Sequence, residues 1–336
     1  MLVSRLAHLF SRLLSGVGKL PVLGLAVLLS ASAPGLSAHA AGKPLNIVTT
    51  VGMIGDAIQR IAGEHATVEA LIGSGVDPHG YRQTRSDVVK LGRADVIFYN
   101  GLYLEAQLED LLLKLATRKP VIALGERLPR KELLAHLEYS ERFDPHIWMD
   151  VDLWSRVVAE ARDAMIEIDP ANRADYEANA KAYRAEMAEL SDYIRAISAT
   201  VPEEERIVVT AHDAFSYFGR AYGFKVVGIQ GISTQSEAGL RRIETIVDLI
   251  VARNVKAVFV ESSVSERNVR ALVEGAQARG HTVVVGGQLF SDAMGQPGSY
   301  EGTYLGMLDH NATLIVRSLG GTAPLAGRLG RLGAGS

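Results

Sequence analysis

The 336-residue chain contains no cysteine. Disulfides, thiolate metal sites, iron–sulfur clusters and cysteine nucleophiles are therefore excluded, and any metal must be held by nitrogen and oxygen. A bacterial lipoprotein anchor needs a cysteine at the new N-terminus, so the sequence predicts a protein without one. Aromatic residues are scarce at 6%, which argues against platforms for stacking nucleobases. An excess of basic charge is also missing. With a formal net charge of −3, affinity built on neutralising phosphates is not expected, and nucleic acid is not a predicted partner.

Long apolar runs are lacking too. The stretch from Leu20 to Leu29 is shorter than the ~20 residues of a membrane span. It follows Arg5, Arg12 and Lys19 and precedes Ser37-Ala38-His39-Ala40-Ala41, a small-residue cleavage pattern. Residues 1–40 therefore read as an export signal, removed after Ala40 or Ala41, and the mature protein is expected in the periplasm. The remaining length suits about two domains, and a composition 48% hydrophobic and 22% charged is that of a globular protein.

Beyond the signal, short β-branched runs alternate with helical periodicity. Leu45–Thr50, Thr67–Ile72, Val96–Asn100 and Val121–Leu124 read as strands, with helices over Gly52–Ala62, Thr84–Gly92 and Tyr103–Thr117. The same alternation resumes later: strands over Ile207–Thr210, Lys225–Gly228, Ala257–Glu261 and Thr282–Gly286, helices over Ala214–Tyr222, Ser236–Arg253, Ser265–Arg279 and Asn311–Leu319. Such βαβ units predict an α/β fold with mainly parallel sheets. Between the two halves, Asp169-Pro170 is a helix-start signal. Tyr176, Ala180, Tyr183, Met187, Leu190, Ile194 and Ile197 then recur at helical spacing, unbroken until Pro202. The expected plan is an N-terminal lobe over 44–168, a linker helix over 169–200, a C-terminal lobe over 201–320, and a disordered glycine-rich tail over 321–336.

Four side chains fall just after predicted strands or in the loops that follow, where parallel sheets bind ligands. They are His79 in Asp77-Pro78-His79, His146 in Asp144-Pro145-His146, His212 in Thr210-Ala211-His212-Asp213, and Asp292 in Phe290-Ser291-Asp292-Ala293. Proline stiffens the turn that presents each of the first two imidazoles, and the preceding Asp is placed to hold an imidazole N–H. One such triplet is weak; two of them plus a third histidine after a strand point to a metal site. Glu261, at a predicted strand end, is a candidate to support a ligand from behind. Asp213 reads as a helix cap. His65, His136, His281 and His310 read as solvated or hydrogen-bonded imidazoles, and His8 and His39 lie in the signal. The phosphate-loop, dinucleotide, nucleophile-elbow and His-Glu-x-x-His patterns are all missing, so an enzyme is not expected.

Leu45 to Leu319 resembles the metal-specific solute-binding proteins of ABC importers (cluster A-I, or cluster 9), in particular the TroA-like zinc/manganese type. The likeness is carried by Asp77-Pro78-His79, the Asp-Pro-His-Ile-Trp-Met-Asp run at 144–150, Val209–Phe215 and Gly286–Gly295. It implies two (β/α) lobes with four-stranded, mainly parallel sheets joined by one long rigid helix. It also implies a metal site formed by His79 and His146 from the first lobe and His212 and Asp292 from the second. The partners implied are a permease and its ATPase, and nothing demands more than a monomer. Manganese-selective members usually carry Glu where His212 stands. Zinc-specialised members usually carry a His-rich loop between the first two ligands, an interval that here holds only His136.

Three imidazoles and a carboxylate suit zinc, and affinity rises from Mn²⁺ towards Zn²⁺. A bidentate Asp292 would admit Mn²⁺ or Fe²⁺. The expected cargo is one divalent transition-metal ion. Four protein ligands leave no open position for an activated water. The rival readings are an exported metal-dependent hydrolase and a surface adhesin with a structural metal.

Overall fold

In the computed structural model, residues 43–136 and 141–333 are described. The predicted export signal and its cleavage point lie outside them, as do His8 and His39. The first half carries β1 (Leu45–Thr49), α1 (Gly52–Ala62), β2 (Ala66–Ala70), α2 (Arg85–Arg93), β3 (Val96–Tyr99), α3 (Glu109–Ala116) and β4 (Val121–Ala123). These strands form one parallel sheet in the order β2-β1-β3-β4. Ile47, Val48, Val96, Ile97 and Phe98 are buried, as central strands covered on both faces require. The start of α2 is a capping box: Asp87 N–H donates to Thr84 Oγ1, and Thr84 N–H donates back to Asp87 Oδ2.

Two helices follow, α4 (Val151–Ile168) and α5 (Arg173–Ser198). Sequence periodicity finds α5 and misses α4. The last residue of the Asp-Pro-His-Ile-Trp-Met-Asp run starts it: Asp150 Oδ1 accepts from the N–H groups of Asp152 and Leu153. Asp169 is not the expected cap of α5. Its carboxylate takes the Tyr176 hydroxyl and the Asn172 amide, and the chain enters the helix through a short 3₁₀ turn at Pro170–Asn172. At 26 residues, α5 is ~39 Å long at 1.5 Å per residue. Its buried stripe, Tyr176, Ala180, Tyr183, Met187, Leu190, Ile194 and Ile197, is the one the spacing predicts.

The second half has β5 (Ile207–Thr210), α6 (Ser216–Tyr222), β6 (Lys225–Gly228), α7 (Leu240–Ala252), β7 (Ala257–Glu261), α8 (Arg267–Ala278), β8 (Val284–Leu289) and α9 (Tyr304–Ser318). Helix α5 packs against α1, α4 and α9. Its apolar stripe and the first sheet belong to one continuous core, which also takes in Phe215, Phe218 and Met307. A separate core of Ile207, Val209, Val258, Ile246 and Leu272 fills the space between β5–β8 and helices α7 and α8.

Three expectations are corrected. The second half has no continuous four-stranded sheet among the described residues: β5-β6 and β7-β8 are separate parallel ladders. Strands β5 and β7 lie side by side, and the hydrogen bond at their ends comes from a side chain, the Glu261 carboxylate taking His212 N–H. The helix expected from Tyr103 begins only at Glu109. Leu102 and Tyr103 adopt positive φ (54° and 70°), and the turn wraps round the buried Glu105 carboxylate, which accepts from the N–H groups of Asn100 and Gly101 and from Thr50 Oγ1. Burial raises that carboxyl to about 7 against the pull of these donors. The segment expected as a disordered tail is a series of turns through Gly333, with Ala323 and Leu332 buried.

No helix among the described residues is long and apolar enough to cross a membrane. Leu190 lies fully buried on α5. Leu190→Ala is expected to cost ~2–5 kcal/mol, read as a lower urea midpoint with an unchanged slope.

Candidate metal centre

Each of the four candidate ligands is placed by a different backbone device. His79 sits in the loop after β2, where its N–H donates to Asp77 Oδ1 at 2.8 Å. Asp77 therefore orients the backbone of the turn, not the ring. Its other oxygen accepts the Thr234 hydroxyl, from the loop after β6, at 2.6 Å. His146 precedes a 3₁₀ turn at Ile147–Met149. Here the preceding aspartate does hold the ring: Asp144 Oδ1 lies 2.9 Å from His146 N and 2.7 Å from Nδ1. His212 follows β5 directly, and Glu261 at the end of β7 takes its N–H at 2.8 Å and its Nδ1–H at 2.5 Å. Asp292 comes from the loop after β8. Trp148 Nε1 donates to the carbonyl of the adjacent Ser291 at 2.8 Å, tying the His146 turn to the Asp292 loop.

With Nδ1 of His146 and of His212 bonded to a carboxylate, each Nδ1 must carry the proton and each Nε2 turns inward. His79 Nε2 lies 3.3 Å from His146 Nε2. Asp292 Oδ1 is 3.3 Å from His146 Nε2, and Oδ2 is 3.2 Å from His212 Nε2 and 4.0 Å from His79 Nε2. One ligand atom from each of the four residues falls within 4.8 Å of every other. All four side chains are buried.

Burial on this scale normally demands that polar atoms be paired. Yet His212 Nε2, Asp292 Oδ1 and Asp292 Oδ2 have no aligned hydrogen-bond partner despite these short distances. Nitrogen and oxygen atoms converging on one point without aligned hydrogen bonds between them are what a cation satisfies. The protonation equilibria point the same way. Burial drives His79 down to about 3. Burial would depress His146 and His212 as well. Asp144 with Asp292 overcomes it at His146, holding that ring up at about 9, and Glu261 with Asp292 lifts His212 well above its ordinary value. Asp292, which burial alone would raise, is held well below the usual carboxylate range by the same two imidazoles. Positive charge is favoured at this point, and a divalent ion would supply it while displacing the Nε2 protons.

Outside the cluster opens a cavity of about 650 Å³, lined by His79, Tyr103, Pro145, Asp213, Gln230 and Gln235 among others. Of the four candidate ligands, His79 is the one on its wall. The bland histidines keep other company. His65 Nε2 meets Asp175, His281 Nε2 the Val255 carbonyl, and His310 Nε2 the Gln288 carbonyl. His136 lines the cavity. Asp213 accepts from the Ser216 hydroxyl and gives α6 no backbone cap, contrary to expectation.

Residues that sequence reasoning did not single out hold the frame. Asn100 Nδ2 donates to the Pro145 carbonyl, Tyr217 hydroxyl to the Asp144 carbonyl, and Tyr304 hydroxyl to the Trp148 carbonyl. Only Trp148 had a sequence signal, through its place in the Asp-Pro-His-Ile-Trp run.

An α/β protein that brings three imidazoles and one carboxylate from four separate loops to a single buried point has the fold and the site of a metal-capturing solute-binding protein. A profile described as ZnuA, zinc-uptake complex component A, periplasmic, matches residues 47–318, and the chain belongs to that family. The chain is 45% identical over 279 residues to the manganese-binding lipoprotein MntA of Bacillus subtilis, covering 83% of this chain and 91% of that protein. It is 46% identical over 282 residues to the zinc-binding protein TroA of Treponema pallidum, covering 84% and 91%. The crystallised periplasmic zinc-binding protein TroA superposes with a TM-score of 0.80 at 44% identity, over 82% of this chain and 99% of that one. One expectation is corrected by these names: MntA of Bacillus subtilis is named a lipoprotein, so freedom from a lipid anchor does not carry across the relatives, whatever the lack of cysteine in these 336 residues.

The Glu261 carboxylate is the only side chain bonded to His212 Nδ1 among the described residues. Glu261→Gln is expected to weaken zinc binding by about 10–100-fold, measured by competition with a chromophoric chelator. An unchanged affinity would remove Glu261 from the site.

Proposed function

We propose that the protein captures one divalent transition-metal ion, Zn²⁺ or Mn²⁺, through His79 Nε2, His146 Nε2, His212 Nε2 and the Asp292 carboxylate, and delivers it to an ABC importer. The observation that carries this reading is the convergence of four buried side chains whose ligand atoms lie within 4.8 Å of one another, with His212 Nε2 and both Asp292 oxygens lacking an aligned internal partner. The donor set favours zinc on intrinsic affinity. The relatives carry both metals in their names, one zinc and one manganese. Asp292 offers two oxygens, and engaging both would raise the coordination number towards what Mn²⁺ accepts.

In this reading residues 44–168 and 201–320 act as lobes, each contributing two ligands, with the segment 169–200 as the spine between them. The ion then acts as a cross-link that fixes the orientation of the lobes. The length and burial of α5 restrict hinge motion, so release depends on small movements of the ligand loops when the importer docks. The site is that of a carrier and not of a hydrolase, because four protein ligands leave no vacant position for an activated water. A permease and its ATPase are the partners, and the periplasm is the place of work.

His146→Ala or Asp292→Ala is expected to weaken zinc and manganese binding by orders of magnitude while leaving the circular dichroism spectrum of the folded protein intact. Isothermal titration of either variant with unchanged affinities would defeat the assignment. Metal removal separates a carrier from a protein built round a structural ion. A chelator should remove the linkage stabilisation, ~2.7 kcal/mol at a free-ion level of 100 times Kd, and so lower the melting temperature while leaving a cooperatively folded protein. Collapse of the fold would point to a structural metal instead.

A further inference from the structure

The family match ends at residue 318, but the chain beyond it is not idle. Residues 321–333 fold back as turns over the last helix and make contacts of a kind that a passive tail does not. Thr322 N–H donates to Thr200 Oγ1 at 2.8 Å, and Arg317 donates to the Ala323 carbonyl at 2.8 Å. Arg328 N–H then meets both oxygens of Asp309, at 3.0 and 2.9 Å. Asp309 is fully buried on α9 and also takes the Tyr300 hydroxyl at 3.0 Å. The Arg328 guanidinium reaches Glu189 on α5 at 3.1 Å, Arg331 lies over the Tyr300 ring, and Gly333 N–H reaches Glu301 Oε1 at 3.3 Å. Gly327 has φ +71°, and a Cβ there would stand 2.7 Å from Asp309 Oδ2. The close approach of strap to carboxylate needs glycine at that position.

The two residues gripped by this segment, Tyr300 and Glu301, belong to the loop between Asp292 and α9. Glu301 in turn holds the ligand side of that loop, its carbonyl accepting Gly295 N–H at 2.8 Å, three residues from Asp292. Ser74, from the loop that carries His79, donates to the Met294 carbonyl at 2.9 Å. A continuous chain of contacts thus runs from α5 and α9 through the C-terminal segment to the Asp292 turn.

We infer that residues 321–333 are a strap that positions the Asp292 loop and slows metal release, with Asp309 as its anchor. The inference rests on the metal-binding function proposed above. The rigidity of a carboxylate ligand is inherited from the loop that holds it, and mutations remote from a ligand modulate binding through such connected packing. None of the strap residues touches the ion, so they are positioning residues.

The test compares the full-length protein with a chain ending at Gly320. Two quantities are read: hydrogen exchange of amides 295–303 in the metal-free state, and zinc dissociation into excess chelator by stopped flow. Loss of the strap is expected to speed exchange across the loop and to raise the zinc dissociation rate about threefold to thirtyfold. Dissociation within twofold of the full-length rate, or exchange unchanged in that loop, overturns the proposal. Should the shortened chain fail to fold, Gly327→Val keeps its length and drives the strap off Asp309, and the same two readouts apply. Full-length protein that binds neither Zn²⁺ nor Mn²⁺ overturns the functional reading itself. That failure is distinct from one in which full-length and shortened chains bind and release alike.

Discussion

Four ligand atoms are forced together in a region sealed from water, and most of the molecule is arranged to hold them there. Taking one carboxylate and three imidazoles out of solvent carries a desolvation penalty of several kcal/mol for each charge that remains. The fold bears that penalty by surrounding the ligands with oriented partners: Asp144 on His146, Glu261 on His212, and the Asp77 carboxylate on the turn of His79. Asp144 and Glu261 set the tautomers of their rings, and the carboxylates together raise the negative potential at the centre. The cluster is therefore prepared for positive charge before any ion arrives.

Preparation of this kind needs stiffness, and the stiffness comes from α5. Its buried stripe joins helices from both halves of the chain in one core. The ligands of the two halves are brought within reach by cross-connections at the cluster itself: Trp148 to the Ser291 carbonyl, Thr234 to Asp77, and Ser74 to the Met294 carbonyl. Each is a single hydrogen bond between loops, worth ~1 kcal/mol net. They are strong enough to fix geometry and weak enough to be broken singly. A carrier needs that balance, since a site locked by its core would hold an ion and never yield it.

The cluster opens towards solvent on one side. The cavity of about 650 Å³ meets the cluster at His79, while His146, His212 and Asp292 lie behind it. Carboxylates fix the rings of His146 and His212, whereas Asp77 holds only the His79 backbone, so the ring nearest solvent is the least constrained of the three.

How much of this was legible in the sequence follows from the range of the interactions involved. The α/β class, the apolar stripe of α5 and the four candidate side chains that the structure brings together could be read because helical spacing, loop placement and Asp-Pro-His turns are local patterns, each fixed within a few residues. Helix α4 escaped notice although Asp150 caps it, since the run that contains Asp150 drew attention for His146 instead. The start of α3 differs from expectation because the buried Glu105 carboxylate collects the N–H groups of Asn100 and Gly101 and the hydroxyl of Thr50, 55 residues away, and the chain bends at Leu102 and Tyr103. A glycine-rich tail looked disordered for the same reason: its partners Asp309, Tyr300 and Glu189 lie far away in sequence. The sequence by itself determined which side chains could bind a metal and on which kind of scaffold. Only the tertiary structure decided that their free lone pairs meet at one point, because that convergence depends on contacts between segments up to about two hundred residues apart, which no local pattern encodes.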